Sequence, residues 1–315
     1  YYTIGGLSGT TGAISGTFTT TASREFSTAQ SLSVAYTGNA LNQREFTSPS
    51  TINLGRVLLG SVQSGSASVT SSGAFASTAS STLGTTSGSF NGLSFTGGNV
   101  LFNSATNSAA YTLGGTVNGT AGNAIGGTFN LSANDEFGNT ISNAATVAFT
   151  GTAVQNRTYD SPSTINLGRV LIGTSLNNSA VVTSTQSFAT TATGTLGGSN
   201  SSFNGISLVG SGFVFNGSTT TGSYALSGTV SASAGASIGG TYYLASTNEF
   251  GTTTGSAAQI AFAGTAVQNR TYDSPSTINL GRVLIGGAAI GSGTVTSTQS
   301  YATTATGTLG GYTGS

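Results

Sequence analysis

Seven Arg and seven Asp or Glu are the only charged side chains in this 315-residue chain, which has no Lys, His or Cys. Any ionic chemistry must come from these fourteen residues. A Ser-His-Asp or Cys-His nucleophile needs His or Cys. A P-loop and a Schiff base both need Lys, and zinc sites are built mainly from His and Cys. What remains is a pair of carboxylates of the glycosidase type, for which the adjacent Asp135 and Glu136 are the candidates. Neighbours on a strand face opposite ways, so the two cannot flank one bond from the same side. The position aligned with Asp135 is Asn248 in the following repeat and Arg24 in the preceding one. The chain therefore reads as a non-enzyme that needs no cofactor. Asn134, Asp135, Glu136 and Asn139 form an oxygen-rich loop of the kind calcium takes, but with so few acids no metal is assigned.

Most of the charged residues recur in register. Arg44, Arg157 and Arg270 align, as do Arg56, Arg169 and Arg282; Glu25, Glu136 and Glu249; and Asp160 and Asp273. Such repetition points to structural use. Glu136, Arg157 and Asp160, and one repeat later Glu249, Arg270 and Asp273, are expected to form a network at the junction between repeats that stiffens the linker. Exposed pairs of this kind contribute about 0–1 kcal/mol.

The elements that position these residues follow from a long period. Pro49, Pro162 and Pro275 are the only prolines and stand 113 residues apart, in the phrases SPSTINLGRVLLG and, twice, SPSTINLGRVLIG. Gly151–Gly173 is identical to Gly264–Gly286. A fixed period marks a tandem array. Two full units are expected, 44–156 and 157–269, each long enough to bury its own core. Residues 1–43 match the C-terminal part of a β-sandwich repeat and 270–315 the N-terminal part. Together these ends cover a unit except for a stretch equivalent to 203–222. Two readings stay open: a window within a longer array, or a subunit whose head completes the tail of the next by strand complementation.

Apolar residues alternate with period two, which argues strands. In 157–269 the expected strands are Thr164–Ile172, Ala180–Gln186, Ile206–Leu208, Phe213–Phe215, Ser223–Val230, Gly239–Ala245 and Ala258–Ala266. Gly168 falls inside the first and predicts a bulge that shifts the alternation by one residue. About seven short strands in roughly 100 residues is the pattern of an Ig-like sandwich. The fold class is therefore all-β: tandem Ig-like β-sandwich modules of 113-residue period, almost without helix. The rival is a β-solenoid passenger domain, but solenoid coils repeat at about 20–30 residues, and no such sub-period is found.

The phrase STINLGRVLIG, the strand AVVTSTQSF and the closing VAFTGTAVQNR and IAFAGTAVQNR resemble bacterial choice-of-anchor D repeats and the related ASH/MSP-type Ig-like domains. The Asn-x-Gly usual after the second strand of that family is not evident. The resemblance implies an extracellular protein of the bacterial cell surface with a variable anchor.

Composition bounds the partners. Charged residues make up 4% of the chain, against about 25% in ordinary soluble domains, and the net charge is zero. Such a surface has weak self-repulsion, so self-association into a polymer is expected. Seven balanced Arg supply no basic patch for nucleic acid. No apolar run is long enough for a membrane span. The opening YYTIGGLSGT has neither Met nor a basic n-region, so no signal peptide is seen. Sequons at Asn118 and Asn156 arise readily by chance in an Asn/Ser/Thr-rich chain. The expected function is a non-catalytic component of an extracellular filament, sheath or stalk. The alternative is an adhesin for a glycan or host protein, in which exposed aromatics would stack on sugar.

Overall fold

The structure is a computed structural model that describes residues 3–311. The chain divides into two compact units, Tyr1–Gln155 and Asn156–Ser315. No helix occurs among the described residues.

The first unit begins with a hairpin, β1 (Gly12–Arg24) and β2 (Ser27–Ala40), which forms a two-stranded sheet of its own. A sandwich follows. It is built from β3 (Ile52–Leu58), β4 (Val62–Thr70), β5 (Ser81–Leu83), β6 (Leu93–Gly97), β7 (Val100–Phe102), β8 (Ser108–Thr116), β9 (Ala124–Asp135) and β10 (Thr140–Val154). One sheet has the order β3-β10-β9-β5-β7 and the other β4-β8-β6. Alternation makes the core: in β8, Ala109, Tyr111 and Leu113 are buried, whereas Ser108, Ala110 and Thr112 face water. They meet Phe129, Leu131, Val147 and Phe149 of the opposite sheet in one buried cluster.

The second unit repeats this plan with β11 (Ile165–Leu171), β12 (Ser175–Thr183), β13 (Gly194–Leu196), β14 (Ser202–Phe203), β15 (Ile206–Val209), β16 (Phe213–Phe215), β17 (Thr221–Thr229), β18 (Ser237–Asn248) and β19 (Thr253–Val267). Its sheets run β11-β19-β18-β13-β16 and β12-β17-β15-β14. In both sandwiches the first strand pairs in parallel with the last, β3 with β10 and β11 with β19, and all other pairs are antiparallel. This is an all-β sandwich fold, and it displaces the solenoid reading, whose coils would stack in parallel.

The register of β11 on β19 slips between Asn166 and Gly168. Gly168 sits at φ 63° and donates its N–H to Asn166 Oδ1 at 2.8 Å. The predicted bulge is present, in a conformation that favours glycine. Gly127 and Gly240 answer a different demand: a Cβ on either would run into the ring of Phe90 or Phe203, which packs directly over the backbone. Two strands escape the sequence reading: β13, which lies between β18 and β16, and the two-residue β14.

The hairpin β1–β2 has the register of β9–β10: Ile14 pairs with Gly38 and Phe18 with Val34, as Ile125 pairs with Gly151 and Phe129 with Val147. The burial differs. Ile125, Phe129, Val147 and Phe149 are in the core, whereas Ile14, Phe18, Leu32, Val34 and Tyr36 are 40% to 62% exposed.

Candidate functional site

The residues singled out by charge and register fall at several places in the fold. Arg44 is buried and spends its guanidinium on the main chain. Its Nε donates to the Ala79 carbonyl at 3.0 Å, and Nη1 donates to the Gly73 carbonyl at 2.9 Å and lies 3.4 Å from Ser71 Oγ. Arg157 makes the same three contacts, with Ala192, Gln186 and Ser184. Arg270 makes them with Ala305, Gln299 and Ser297. The sequence separations are 35, 29 and 27 residues in every case. Each arginine thus staples its own segment to a loop 27 to 35 residues further along. A planar guanidinium suits this task, because it offers several donors in a fixed fork. Burial pulls the Arg44 pKa down, and the charge of Glu136 partly offsets the effect.

The acids serve backbone geometry. Glu136 accepts from the Ser80 hydroxyl at 2.8 Å and from the Ser80 N–H at 3.3 Å. Asp135 accepts from the N–H groups of Phe137 (3.0 Å) and Asn139 (2.8 Å) and from Asn139 Nδ2 (2.9 Å). The side-chain bond from Asn139 is the main cause of its lowered pKa. Asn134 Oδ1 accepts from Thr140 Oγ1 at 2.9 Å. The oxygen-rich loop is therefore a closed, hydrogen-bonded turn, and the two adjacent carboxylates serve different partners. Asn248 builds the same turn by accepting from Phe250 N and Thr252 N, both at 2.9 Å. An amide suffices there, so the carboxylate's charge is not needed. Asp160 and Asp273 enter through their backbones, paired with Thr183 and Thr296. Glu249 donates its N–H to the Thr193 carbonyl.

A contact that sequence reasoning did not find joins Arg169 of β11 to the segment after the linker. Its guanidinium lies over the Tyr301 ring, 3.7 Å from the centroid, and Nη2 donates to the carbonyls of Tyr301 (2.6 Å) and Thr304. Alongside it, Gln268 pairs in parallel with Thr304: its N–H donates to the Thr303 carbonyl, and its own carbonyl accepts from Ala305. Asn42 makes the equivalent bridge in the first unit, with Ser77 and Ala79. The register of Arg169 and of Tyr301 was legible. Their meeting was not, because it depends on how the chain turns after Gln268.

Two buried tyrosines complete the chemistry. Tyr111 donates its hydroxyl to the Gly84 carbonyl at 2.7 Å and Tyr224 to the Gly197 carbonyl at 2.8 Å; burial pushes both pKa values up to about 12. Tyr159 shares a 2.6 Å hydrogen bond with Ser246.

No protein-family model matches the chain, and no curated protein does. Solved structures similar to it include the sialic acid binding region of a Streptococcus sanguinis adhesin, at 9% identity over 74% of this chain and 81% of that one, with a TM-score of 0.24. The C-terminal domain of the AgI/II polypeptide BspA of Streptococcus agalactiae matches at 10% identity over 70% and 99%, with a TM-score of 0.32. An I-band fragment of titin matches at 10% identity over 81% and 75%, with a TM-score of 0.26. The sandwich assignment itself rests on the strand pairing described above.

Proposed function

We propose that the chain is a non-catalytic structural component of a bacterial extracellular filament, sheath or surface stalk. In this reading 44–156 and 157–269 are whole repeats, and 1–43 and 270–315 are parts of further repeats that join head to tail. The observation that carries it is the joint at Gln268, where main-chain pairing and the Arg169–Tyr301 stack hold the start of one repeat against the body of another. A boundary tied by backbone hydrogen bonds sets a direction from repeat to repeat, as a rod requires and a flexible tether does not. Glu249, Arg270 and Asp273 are charges at this same boundary and are proposed to stiffen it. The acids of the hairpin turns hold backbone, which suits a structural role better than a catalytic one. Zero net charge allows close lateral packing of copies. The resemblance of STINLGRVLIG to choice-of-anchor D repeats fits a cell-surface location.

Electron microscopy of the native cell surface and of the purified chain tests this proposal. Regular filaments with an axial repeat that fits whole 113-residue units are the expected result. Isolated flexible beads would overturn it.

A second reading, an adhesin, is favoured by one observation. Phe26, Phe137 and Phe250 fall at aligned hairpin turns and are 92%, 65% and 40% exposed. Recurrent exposed aromatics suit stacking on a sugar face. Reproducible signals on a glycan array, lost in Phe137→Ser and Phe250→Ser, would put this reading first.

A further inference from the structure

Seven Asn-x-Ser/Thr triplets, the acceptor pattern for N-linked sugar, occur in the chain. Composition alone yields such triplets, so geometry must choose among them. Asn130 and Asn177 lie within β9 and β12, where an extended backbone holds residues i and i+2 about 6–7 Å apart. The Asn156 amide oxygen is taken by Asn248 Nδ2 at 2.7 Å. One triplet is arranged differently. Asn216, Gly217 and Ser218 lie in the turn from β16 to β17. Asn216 Oδ1 accepts from the Ser218 N–H (2.8 Å), the Ser218 hydroxyl (2.9 Å) and the Thr219 N–H (2.8 Å). Among the described residues, no other triplet brings its third hydroxyl to its own asparagine amide.

Two of these donors are backbone N–H groups, which cannot accept, so the amide oxygen must face them and Nδ2 the other way. Nδ2 makes no hydrogen bond among the described residues, and Gly217 and Ser218 beside it are exposed. An amide nitrogen is a poor nucleophile because its lone pair is shared with the carbonyl. As the nitrogen gives up a proton, negative charge gathers on the oxygen, and three donors already in place stabilise it. The equivalent turn of the first unit supplies a comparison. Asn103 Oδ1 accepts from the N–H groups of Ala105 (2.8 Å) and Thr106 (3.1 Å). It lacks the hydroxyl, because Ala105 stands where Ser218 stands one repeat later.

We propose that Asn216 is a site of N-glycosylation, with a glycosyl diphosphate as donor and a separate transferase as catalyst. Nδ2 attacks C1 of the sugar. The Nδ2–C1 bond forms as the bond from C1 to the diphosphate oxygen breaks, and the diphosphate leaves with the electron pair. The Nδ2 proton passes to a base of the transferase. A neutral, hydrated sugar solubilises a surface, which suits a chain whose charged residues are only 4% of its length.

The test is peptide mass spectrometry of the full chain isolated from its native cells. Cleavage after aromatic residues releases 216–224 (NGSTTTGSY) and, from the equivalent turn, 103–111 (NSATNSAAY). The expected result is sugar mass located on Asn216 by fragmentation that spares side-chain bonds, and none on Asn103. A single hexose would mark a nucleotide-linked donor and a longer glycan a lipid-linked one; either keeps the site. Ser218→Ala should lower occupancy roughly tenfold or more, through loss of one donor to the developing charge. Ala105→Ser should bring sugar to Asn103. Both positions are exposed, so neither change disturbs a core. An unmodified 216–224 peptide, sugar on its Ser or Thr hydroxyls alone, or full occupancy in Ser218→Ala would overturn the proposal. So would a modified Asn216 beside an unmodified Asn103 in Ala105→Ser. The site stands apart from the filament reading: modified chains without filaments keep it, and filaments of unmodified chains remove it.

Discussion

Arg169 and Tyr301 stack with the guanidinium 3.7 Å from the ring centroid, and the same guanidinium hydrogen-bonds the Tyr301 carbonyl. The pair joins β11 to a turn that follows the linker, so one side chain restrains a joint. A cation over an aromatic face contributes about 0.5–2 kcal/mol, depending on desolvation. Arg169→Ala is expected to loosen the joint without touching either core. Hydrogen exchange at the Ala305 amide, which donates to Gln268, should accelerate about 5–30-fold for a loss of one or two kcal/mol. Amides of β18 and β19 should keep their protection. Unchanged exchange at Ala305 would show that the stack restrains nothing.

Removing a repeat-start arginine should cost far more. Arg44→Met leaves the buried carbonyl of Ala79 and the half-buried carbonyl of Gly73 beside an apolar chain. Each unsatisfied buried acceptor costs about 1–3 kcal/mol, so a loss of about 2–4 kcal/mol is expected in urea unfolding of the first unit. Arg44→Lys should recover only part of it, because an ammonium cannot match the fork of three contacts. Full recovery by Lys would mean that charge alone matters.

Alkaline pH should unfold the sandwiches. The hydroxyls of Tyr111 and Tyr224 titrate near 10 when unfolded and are pushed up to about 12 when buried. A folded pKa above the unfolded one means that the native state holds its proton more tightly. The stabilisation is complete below pH 10 and is lost as pH rises towards 12. Thermal midpoints should therefore fall across that window. Tyr224→Phe should flatten the fall while lowering stability at neutral pH by about 1 kcal/mol, the worth of its hydrogen bond to Gly197.

Gly240→Ala should destabilise the second sandwich by about 1–3 kcal/mol, the usual cost of overpacking. The new methyl would meet the ring of Phe203. Combining it with Phe203→Leu should restore part of the loss, measured as non-additivity in a double-mutant cycle. Additive losses would place the strain elsewhere.

What the sequence disclosed and what it hid divide along physical lines. Alternation located Phe213–Phe215 with its observed bounds, and Gly168 announced its bulge, because both signals are local. The strand expected at Ala180–Gln186 runs instead from Ser175 to Thr183. Its polar start, SLNNS, is held by main-chain pairing to β17, which leaves no mark on side-chain polarity. Gly194–Leu196 was missed for a related reason: it is a strand because β18 and β16 flank it, not because its residues favour one. The arginines were visible as a register, but their partners are carbonyl groups, which every residue has. The contacts of Glu136 with Ser80 and its charge near Arg44 are likewise beyond what register alone names.

The repeat-start staples also bear on the order in which the protein is made. Each of these arginines donates to carbonyl groups no more than 35 positions further along. The first third of a repeat can therefore set its own loop while the rest is still on the ribosome, and later strands are added to a template already in place. In an array of near-identical neighbours, where strands could be exchanged between copies, such early local closure steers each repeat towards its own partners.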